Sequence, residues 1–383
     1  MSCTQRNAGV TQPPDTFRSV APAIHHGTTV LLPSLKYLRE EGWRQGGFVY
    51  GLHQNPTSQA LGRQLCIIEA AEHCSLLPSG LSAINVVNQT LLEPDSEVLV
   101  PRGLYRSNRR SMDWYTTRMG ISVVDYVSTQ DAIDRLSDRT RLIWTECPAS
   151  ISMEVIDLPL LVGAACKIGD DRPLIVNDNS WSAGVFYQPL ALGVDVVVQA
   201  LTKYQSGGAD VFMGAILTNN GQLHERFEAL RDMSGLGVSA HDAYLVIRGL
   251  GSLKTRLQAH QATALRVAEW LHKHPAIDRV LHPAFAECPG HDVWLRDFSG
   301  ASGLFSVLLK PHMTACHLER FIERLQAFGF GLSWGGAQSL CMVYEQPCQT
   351  EQPSSGPVLR VSVGLEGSEA LIADLDRALA CMG

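Results

Sequence analysis

The feature of this sequence that most constrains its fold is a pair of apolar runs, each ending in a residue able to do chemistry. Residues 174–178 read Leu-Ile-Val-Asn-Asp, and residues 195–203 read Asp-Val-Val-Val-Gln-Ala-Leu-Thr-Lys. Short runs rich in Val and Ile are typical of buried parallel strands. The polar ends, Asp178 and Lys203, are 25 positions apart, which leaves room for one crossover. Because open α/β sheets bind ligands at the carboxyl ends of their strands, we predict that both side chains lie over one sheet edge.

A strand-end lysine beside a strand-end carboxylate favours one type of cofactor. A lysine amine condenses with an aldehyde as a Schiff base, and a carboxylate facing a pyridine nitrogen keeps that nitrogen protonated, so that the ring accepts electrons. An isolated strand-end aspartate and lysine are more often two ordinary solvated loop residues. Lys203 and Asp178, placed side by side over one sheet edge, suggest pyridoxal 5'-phosphate.

Composition limits the class of protein further. A length of 383 residues predicts two domains. The net charge of −7, with no cluster of basic residues, argues against a nucleic-acid partner. The N-terminal segment lacks a signal-peptide core and no run reaches the ~18 apolar residues of a membrane span, so we expect a cytoplasmic protein with no membrane partner. The ten cysteines lack paired spacing and are expected to be reduced, and the histidines lack the spacing of a helical zinc site, so no metal is predicted.

Three short sequence motifs resemble those of a known family. They are Asp-Asn-Ser-Trp at 178–181, Pro-Leu-Ala-Leu-Gly-Val-Asp at 189–195 and Thr-Lys-Tyr at 202–204. In order and spacing they resemble the pyridoxal-phosphate enzymes of cysteine and methionine metabolism, the trans-sulfuration family, and the likeness extends from about Tyr50 to the C terminus. It implies that Lys203 binds the cofactor covalently and that Asp178 pairs with its ring nitrogen.

The resemblance implies the aspartate-aminotransferase-like fold (fold type I), an α/β architecture with a large, mostly parallel sheet domain and a smaller C-terminal α/β domain. We place an N-terminal arm at 1–57, the cofactor-binding domain at 58–248 and the C-terminal domain at 249–383. Apolar spacing predicts a helix over 58–73, and residues 303–309 read as the first strand of the smaller domain. Since the arm reaches onto a neighbouring subunit in relatives, an assembly with sites shared across subunits is expected, either a dimer or the homotetramer (a dimer of dimers) that we favour.

Two further segments are candidates for holding the cofactor. A strand-turn-helix pattern places a helix start just after Gly80, where free backbone N–H groups would suit a phosphate. The resemblance to the family's Ser-Gly-Met motif implies that Gly80 and Leu81 bind the phosphate, and the family comparison leaves Thr202 as the hydroxyl for it. Tyr105 follows a predicted strand; such a tyrosine is usually an amphipathic surface residue, but by resemblance it stacks on the cofactor ring and assists proton transfer.

The sequence departs from the family at the phosphate end of the site. By resemblance, Tyr50 binds the phosphate of the other subunit together with an arginine two positions later, but Leu52 occupies the arginine position. Weaker cofactor binding, a replacement cation at Arg44 or His53, and backbone donors that suffice alone all remain open.

The substrate groups come from the C-terminal part of the chain. Ser333 and Trp334 begin a segment that resembles the family's substrate loop, and Arg360 matches the arginine that clamps the substrate α-carboxylate. Arginine suits this role because its planar fork binds a carboxylate through two hydrogen bonds. An arginine in a strand is, without such a match, more often paired structurally.

The motif Ser-Ile-Ser-Met-Glu-Val at 150–155 resembles the corresponding motif of the bacterial cystathionine β-lyases. We therefore expect β-elimination from cystathionine or a related cysteine thioether, yielding a thiol, pyruvate and ammonia. Near the lysine, Ala200 stands where many relatives have a serine, and Gly208 stands where the family usually has a histidine. The departures at Leu52 and Gly208 keep open a γ-lyase or γ-replacement synthase acting on a homoserine ester or specialised thioether, and also a scaffold that binds the cofactor without catalysis.

Overall fold

The computed structural model describes residues 16, 18–42, 47–345 and 356–382. Its larger sheet has seven strands in the order β1-β7-β6-β5-β4-β2-β3. Strand β7 runs antiparallel to β1 and β6, and the other neighbours are parallel. The strands are β1 (His73–Leu77), β2 (Glu97–Pro101), β3 (Ser122–Tyr126), β4 (Thr140–Glu146), β5 (Leu174–Asp178), β6 (Val196–Ala200) and β7 (Gly214–Thr218).

Helices cover this sheet and lead out of it. They are α1 (Leu35–Tyr37), α2 (Pro56–Glu69), α3 (Gly80–Leu91), α4 (Arg106–Met119), α5 (Thr129–Asp134), α6 (Leu158–Cys166), α7 (Gly221–Met233), α8 (Ala240–Leu250) and α9 (Leu253–His272). A short π-helical turn spans Leu38–Gly42 and a 3-10 turn spans Pro189–Leu192.

Helix α2 begins and ends for identifiable reasons. The Asn55 side chain caps its first turn in a capping box with Ser58. The helix stops at Glu69, short of the predicted residue 73, because Ala70 adopts a left-handed conformation with φ of 54°. Strand β1 then begins at His73.

The smaller sheet has five strands in the order β10-β11-β12-β9-β8. Strands β10 and β11 are parallel and the other pairs are antiparallel. The elements are β8 (Ile277–Leu281), α10 (His291–Asp297), β9 (Leu304–Leu309), α11 (Ala315–Arg324), β10 (Gly329–Phe330), β11 (Leu340–Tyr344), β12 (Val358–Ser362), α12 (Ser368–Leu379) and a 3-10 turn at Ala380–Met382. Strand β9 matches the strand predicted at 303–309.

A large, mostly parallel sheet joined to a smaller second sheet is the predicted fold class. Central strands are buried on both faces, as the apolar runs required; Trp144, Val176 and Val197 are fully buried. The predicted domain boundary at residue 248 falls inside α8, and the division into arm and two domains stays a prediction.

Within the described ranges, no helix is both long enough and apolar enough to cross a membrane. The same part of the chain contains no group of three or more His, Cys, Asp or Glu side chains arranged to hold a metal ion. The eight cysteines placed there are free thiols; Cys3 and Cys348 lie outside the described residues.

Candidate active site

The structure places Asp178 and Lys203 at one edge of the large sheet. Asp178 is the last residue of β5, and β5 pairs in parallel with β6. Lys203 lies in a tight turn three residues after β6 ends, where its N–H donates to the Ala200 carbonyl at 3.1 Å. The negative charge of Asp178 acts on the lysine amine, where it offsets a small part of the lowering of the Lys203 pKa that burial and Arg360 cause. The expected convergence of strand ends is therefore present.

The Lys203 amine faces the C-terminal part of the chain. Its Nζ donates to the Oγ of Ser333 at 3.0 Å and lies 5.2 Å from the centre of the Trp334 ring. Burial, followed by the positive charge of Arg360, lowers the pKa of Lys203 to about 8. At pH 7 about a tenth of this amine is neutral, far more than for an exposed lysine, so it is able to act as a nucleophile and a base.

The segment that contains Ser333 packs closely, through its backbone at Gly335, against the turn that contains Lys203. Gly335 has φ of +85°, and a Cβ there would lie 3.0 Å from the Tyr204 nitrogen and 3.1 Å from the Lys203 carbonyl carbon. The buried Tyr204 hydroxyl accepts from the Gly303 N–H at 2.9 Å. Glycine at 335 is required both for this conformation and for this approach.

Arg360 lies in the middle of β12, opposite Ser306 of β9 and Met342 of β11. Its guanidinium donates to the carbonyl of Leu332, next to Ser333, and its Cζ lies 5.7 Å from the centre of the Tyr344 ring. Burial lowers the pKa of Arg360, but the group stays cationic at any ordinary pH. The arginine and serine predicted to hold a carboxylate thus lie at the same place as the lysine amine.

Asp178 sits in a setting that disfavours its charge. Burial raises the pKa of this carboxyl, while hydrogen bonding to Ser180 and the charge of Lys203 lower it. Oδ1 accepts from the Ser180 N–H at 2.9 Å. A carboxylate accepts several hydrogen bonds, so capacity remains for a protonated ring nitrogen, whose positive charge would offset the burial.

A buried carboxylate that sequence reasoning missed lies beneath the two strand ends. Glu69, the last residue of α2, is fully buried and accepts from the Asn179 amide at 2.9 and 3.0 Å and from the Gln199 amide at 2.5 Å. Gln205 in turn donates to Gln199 at 2.8 Å. The two amides lie next to Asp178 of β5 and within β6, the strand that leads to Lys203, so Glu69 links the ends of both strands. In the sequence it reads as an ordinary helix-end carboxylate.

Helix α3 presents its N terminus to the same edge. Ser79 caps the helix in a capping box with Ser82. The N–H groups of Gly80 and Leu81 have no partner in the part of the chain that the structure covers. A Cβ at Gly80 would lie 2.7 Å from the Cβ of Ala200, so the helix start abuts the end of β6. Free N–H groups and a helix dipole at this position suit a phosphate.

Thr202 is already engaged. Its hydroxyl donates to the Met213 carbonyl at 3.3 Å and accepts from the Met213 N–H at 3.1 Å, which ties the lysine turn to the segment before β7. To donate to a phosphate oxygen the hydroxyl would have to turn its single proton away from the Met213 carbonyl, and the predicted contact stays a prediction.

Tyr105 directly precedes α4, and its side chain is 41% exposed. The Tyr105 N–H donates to the Oε1 of Glu146 at 2.6 Å. The tyrosine also lies within electrostatic reach of Arg360 and Tyr344. Neither Glu146 nor Tyr344 was predicted from the sequence, although Glu146 could have been noticed as a carboxylate ending a buried strand, as Asp178 does.

The segment with Tyr50 and Leu52 lies on the surface. Tyr50 is 44% exposed and Leu52 is 38% exposed. His53, a suggested replacement cation, is held by its own chain: its Nδ1 lies 3.0 Å from the Asp232 carboxylate, and Arg231 donates to its carbonyl at 2.7 Å. The other suggested cation, Arg44, lies outside the described residues. The contribution of Tyr50 to another subunit stays a prediction.

Gly208 occupies a crowded position. A Cβ there would lie 2.5 Å from the Oδ1 of Asp210. The residue borders a surface cavity of about 260 Å³ that Arg248 and Arg256 also line. The histidine frequent in relatives therefore could not be accommodated unless the Asp210 carboxylate moved.

These groups fit pyridoxal phosphate: an amine of lowered pKa, a carboxylate for the ring nitrogen, a helix N terminus for the phosphate, and an arginine for a carboxylate. Together with the seven-stranded and five-stranded sheets, these groups define the protein as a pyridoxal-phosphate enzyme of the aspartate-aminotransferase fold.

Comparison with known proteins identifies the family. Residues 4–380 match the model described as Cys/Met metabolism PLP-dependent enzyme, and the chain belongs to this family. It is 33% identical to a putative cystathionine β-lyase of Rhizobium johnstonii, over 96% of this chain and 93% of that one. It is 34% identical to the cystathionine β-lyase of Escherichia coli, over 95% and 94%. Among solved structures, the cystathionine γ-synthase of Xanthomonas oryzae pv. oryzae in complex with cystathionine gives a TM-score of 0.86 at 27% identity, covering 96% of this chain and 95% of that chain.

Proposed function

We propose that this protein is a carbon–sulfur β-lyase that cleaves cystathionine or a related cysteine thioether to a thiol, pyruvate and ammonia. The observation that carries the proposal is the contact of the Lys203 amine with Ser333, beside Arg360. It sets a base of lowered pKa next to the groups suited to an α-carboxylate. The lyase-like motif at 150–155 and the relatives named as β-lyases support β-cleavage over γ-cleavage.

Pyridoxal phosphate, when bound, supplies the electron sink for carbanion chemistry at the substrate Cα. Arg360 exchanges the Leu332 carbonyl for the substrate carboxylate, and Ser333 donates a hydrogen bond to it. Lys203, as a free amine, takes the Cα proton. The same lysine, now an ammonium, protonates the sulfur as the Cβ–S bond breaks and the bonding electrons leave with sulfur. Released aminoacrylate takes up water to give pyruvate and ammonia.

The remaining residues hold the cofactor in this proposal. Asp178 keeps the ring nitrogen protonated, and Tyr105 stacks on the ring and assists proton transfer from the incoming amine. Gly80, Leu81 and Thr202 bind the phosphate.

Trp334 packs against the lysine amine and limits its access to water, and Tyr50 serves the phosphate of another subunit. A homotetramer and a cytoplasmic location are part of the same proposal.

The test is to incubate purified holoenzyme with L-cystathionine and to identify the keto acid by mass spectrometry. We expect pyruvate and homocysteine in equal amounts, with none from Lys203→Ala. Formation of 2-oxobutyrate and cysteine would instead establish γ-cleavage. Absence of both keto acids, with the absorbance band of a lysine-bound cofactor present, would instead favour a scaffold that binds the cofactor without catalysis.

A further inference from the structure

A second carboxylate lies beside Asp178. Glu146 is the last residue of β4, and the β4–β5 register places it directly opposite Asp178. Its side chain is 4% exposed. Two ionised carboxylates at neighbouring strand ends repel each other strongly in a buried setting, so they do not both carry charge at neutral pH.

The two oxygens of Glu146 connect two separate loops. Oε1 accepts from the Tyr105 N–H at 2.6 Å, in the turn between β2 and α4. Oε2 accepts from the Ser150 N–H at 3.2 Å, in the loop after β4. One carboxyl group therefore fixes the backbone of the ring-stacking candidate relative to the strand that ends beside Asp178.

The charge that acts on Glu146 is the negative charge of Asp178, from β5. The buried Tyr126 hydroxyl on β3 and the adjacent Cys147 thiol stay neutral, because burial raises the pKa of both. Burial, followed by the charge of Asp178, raises the pKa of Glu146 to about 8. A protonated Glu146 still accepts both N–H groups, and it leaves Asp178 as the charged partner of the ring nitrogen.

We propose that Glu146 is a positioning residue of the cofactor site: its carboxyl group holds Tyr105 over the cofactor ring through the Tyr105 backbone N–H. This inference rests on the proposed function, because it takes from it that the cofactor ring lies against Tyr105 and Asp178. It does not depend on which thioether is cleaved or at which carbon.

The test compares Glu146→Gln with Glu146→Ala in the full-length protein. Cofactor affinity is measured by titrating apo protein with pyridoxal phosphate, and ring orientation by circular dichroism in the cofactor absorbance band. Alanine removes the acceptor and should raise the Kd about tenfold or more and weaken the dichroism. Glutamine keeps a neutral acceptor and should restore both to near wild-type values.

Glu97→Ala is the matched control, since Glu97 is a carboxylate at the opposite end of β2 that accepts from Ser137 and Thr140. It should lower the melting temperature without changing Kd or dichroism.

If Glu146→Ala does not fold, Glu146→Asp keeps the carboxyl but shortens its reach, and should behave as the alanine variant is expected to. Wild-type Kd and dichroism in Glu146→Ala or Glu146→Asp would overturn the inference, as would a glutamine variant as impaired as the alanine one. A failed keto-acid assay with these cofactor effects intact would overturn only the proposed reaction.

Discussion

The Nζ of Lys203 lies 3.0 Å from the Oγ of Ser333, although 130 positions separate them in the chain. The lysine follows a strand of the large sheet, and the serine lies between β10 and β11 of the smaller one. This hydrogen bond therefore joins the cofactor side of the site to its substrate side, as the bond from the Gly303 N–H to the Tyr204 hydroxyl does nearby.

Replacing Ser333 by alanine should raise the KM for the thioether about tenfold with a smaller effect on kcat. The lost hydroxyl no longer donates to the substrate carboxylate, and one hydrogen bond to a charged group accounts for this magnitude. Steady-state kinetics of pyruvate release measures it. Ser234→Ala, at an exposed serine that directly follows α7, is the control, and equal kinetic constants for the two variants would contradict the role of Ser333.

Arg360→Lys should lower kcat/KM by roughly 10-fold to 150-fold, because a lysine keeps the charge but loses the two parallel hydrogen bonds of the guanidinium. Arg320→Lys on the exposed face of α11 tests whether any arginine exchange has this effect. The expected defect should shrink for substrate analogues without an α-carboxylate. A defect of the same size with those analogues would show that Arg360 acts structurally.

The pKa of about 8 for Lys203 predicts how fast apo protein attaches its cofactor. The neutral amine is the reactive form, so below pH 8 the rate should rise nearly tenfold per pH unit, and above it the rate should level off. Stopped-flow absorbance after mixing with pyridoxal phosphate measures this. A tenfold rise per unit that continued to pH 10 would show an ordinary lysine pKa.

Leu52→Arg should tighten cofactor binding. It introduces the cation that relatives carry at this position, and a charge-assisted hydrogen bond to phosphate is worth about 10-fold to 150-fold in Kd. Leu52 is 38% exposed, so the longer side chain has room to extend from the surface. Fluorescence titration of apo protein, with Leu52→Gln as the uncharged control, gives the comparison. Identical Kd values for wild type and Leu52→Arg would remove this position from the phosphate site.

Glu69→Ala should cost roughly 2 to 6 kcal/mol of unfolding free energy, because it leaves one N–H of Asn179, which keeps its bond to the Tyr187 carbonyl, and one N–H of Gln199 buried without an acceptor. Glu69→Gln keeps one acceptor oxygen and should cost less. Urea denaturation of the apo protein measures both, with the exposed Glu225→Ala on α7 as control. A loss below about 1 kcal/mol for Glu69→Ala would mean that the network relaxes around the gap.

The amino-acid sequence alone was sufficient for the fold class, the cofactor and the placement of Asp178 and Lys203 at one sheet edge. These follow from local properties: apolar runs of strand length, polar residues where the runs end, and a family resemblance carried by short contiguous motifs. The helix predicted at 58–73 was too long by a few residues, because its end depends on the left-handed turn at Ala70.

Only the tertiary structure decided which polar groups form hydrogen bonds around Asp178, Lys203 and Tyr105. Glu69 and Glu146 read in the sequence as ordinary carboxylates, and they became parts of the site because folding buried them against amides and N–H groups from distant segments. Burial and the placement of charges also set the lysine pKa. Periodicity and composition report which face of an element is apolar, but a hydrogen bond between segments depends on where the whole sheet brings their ends together.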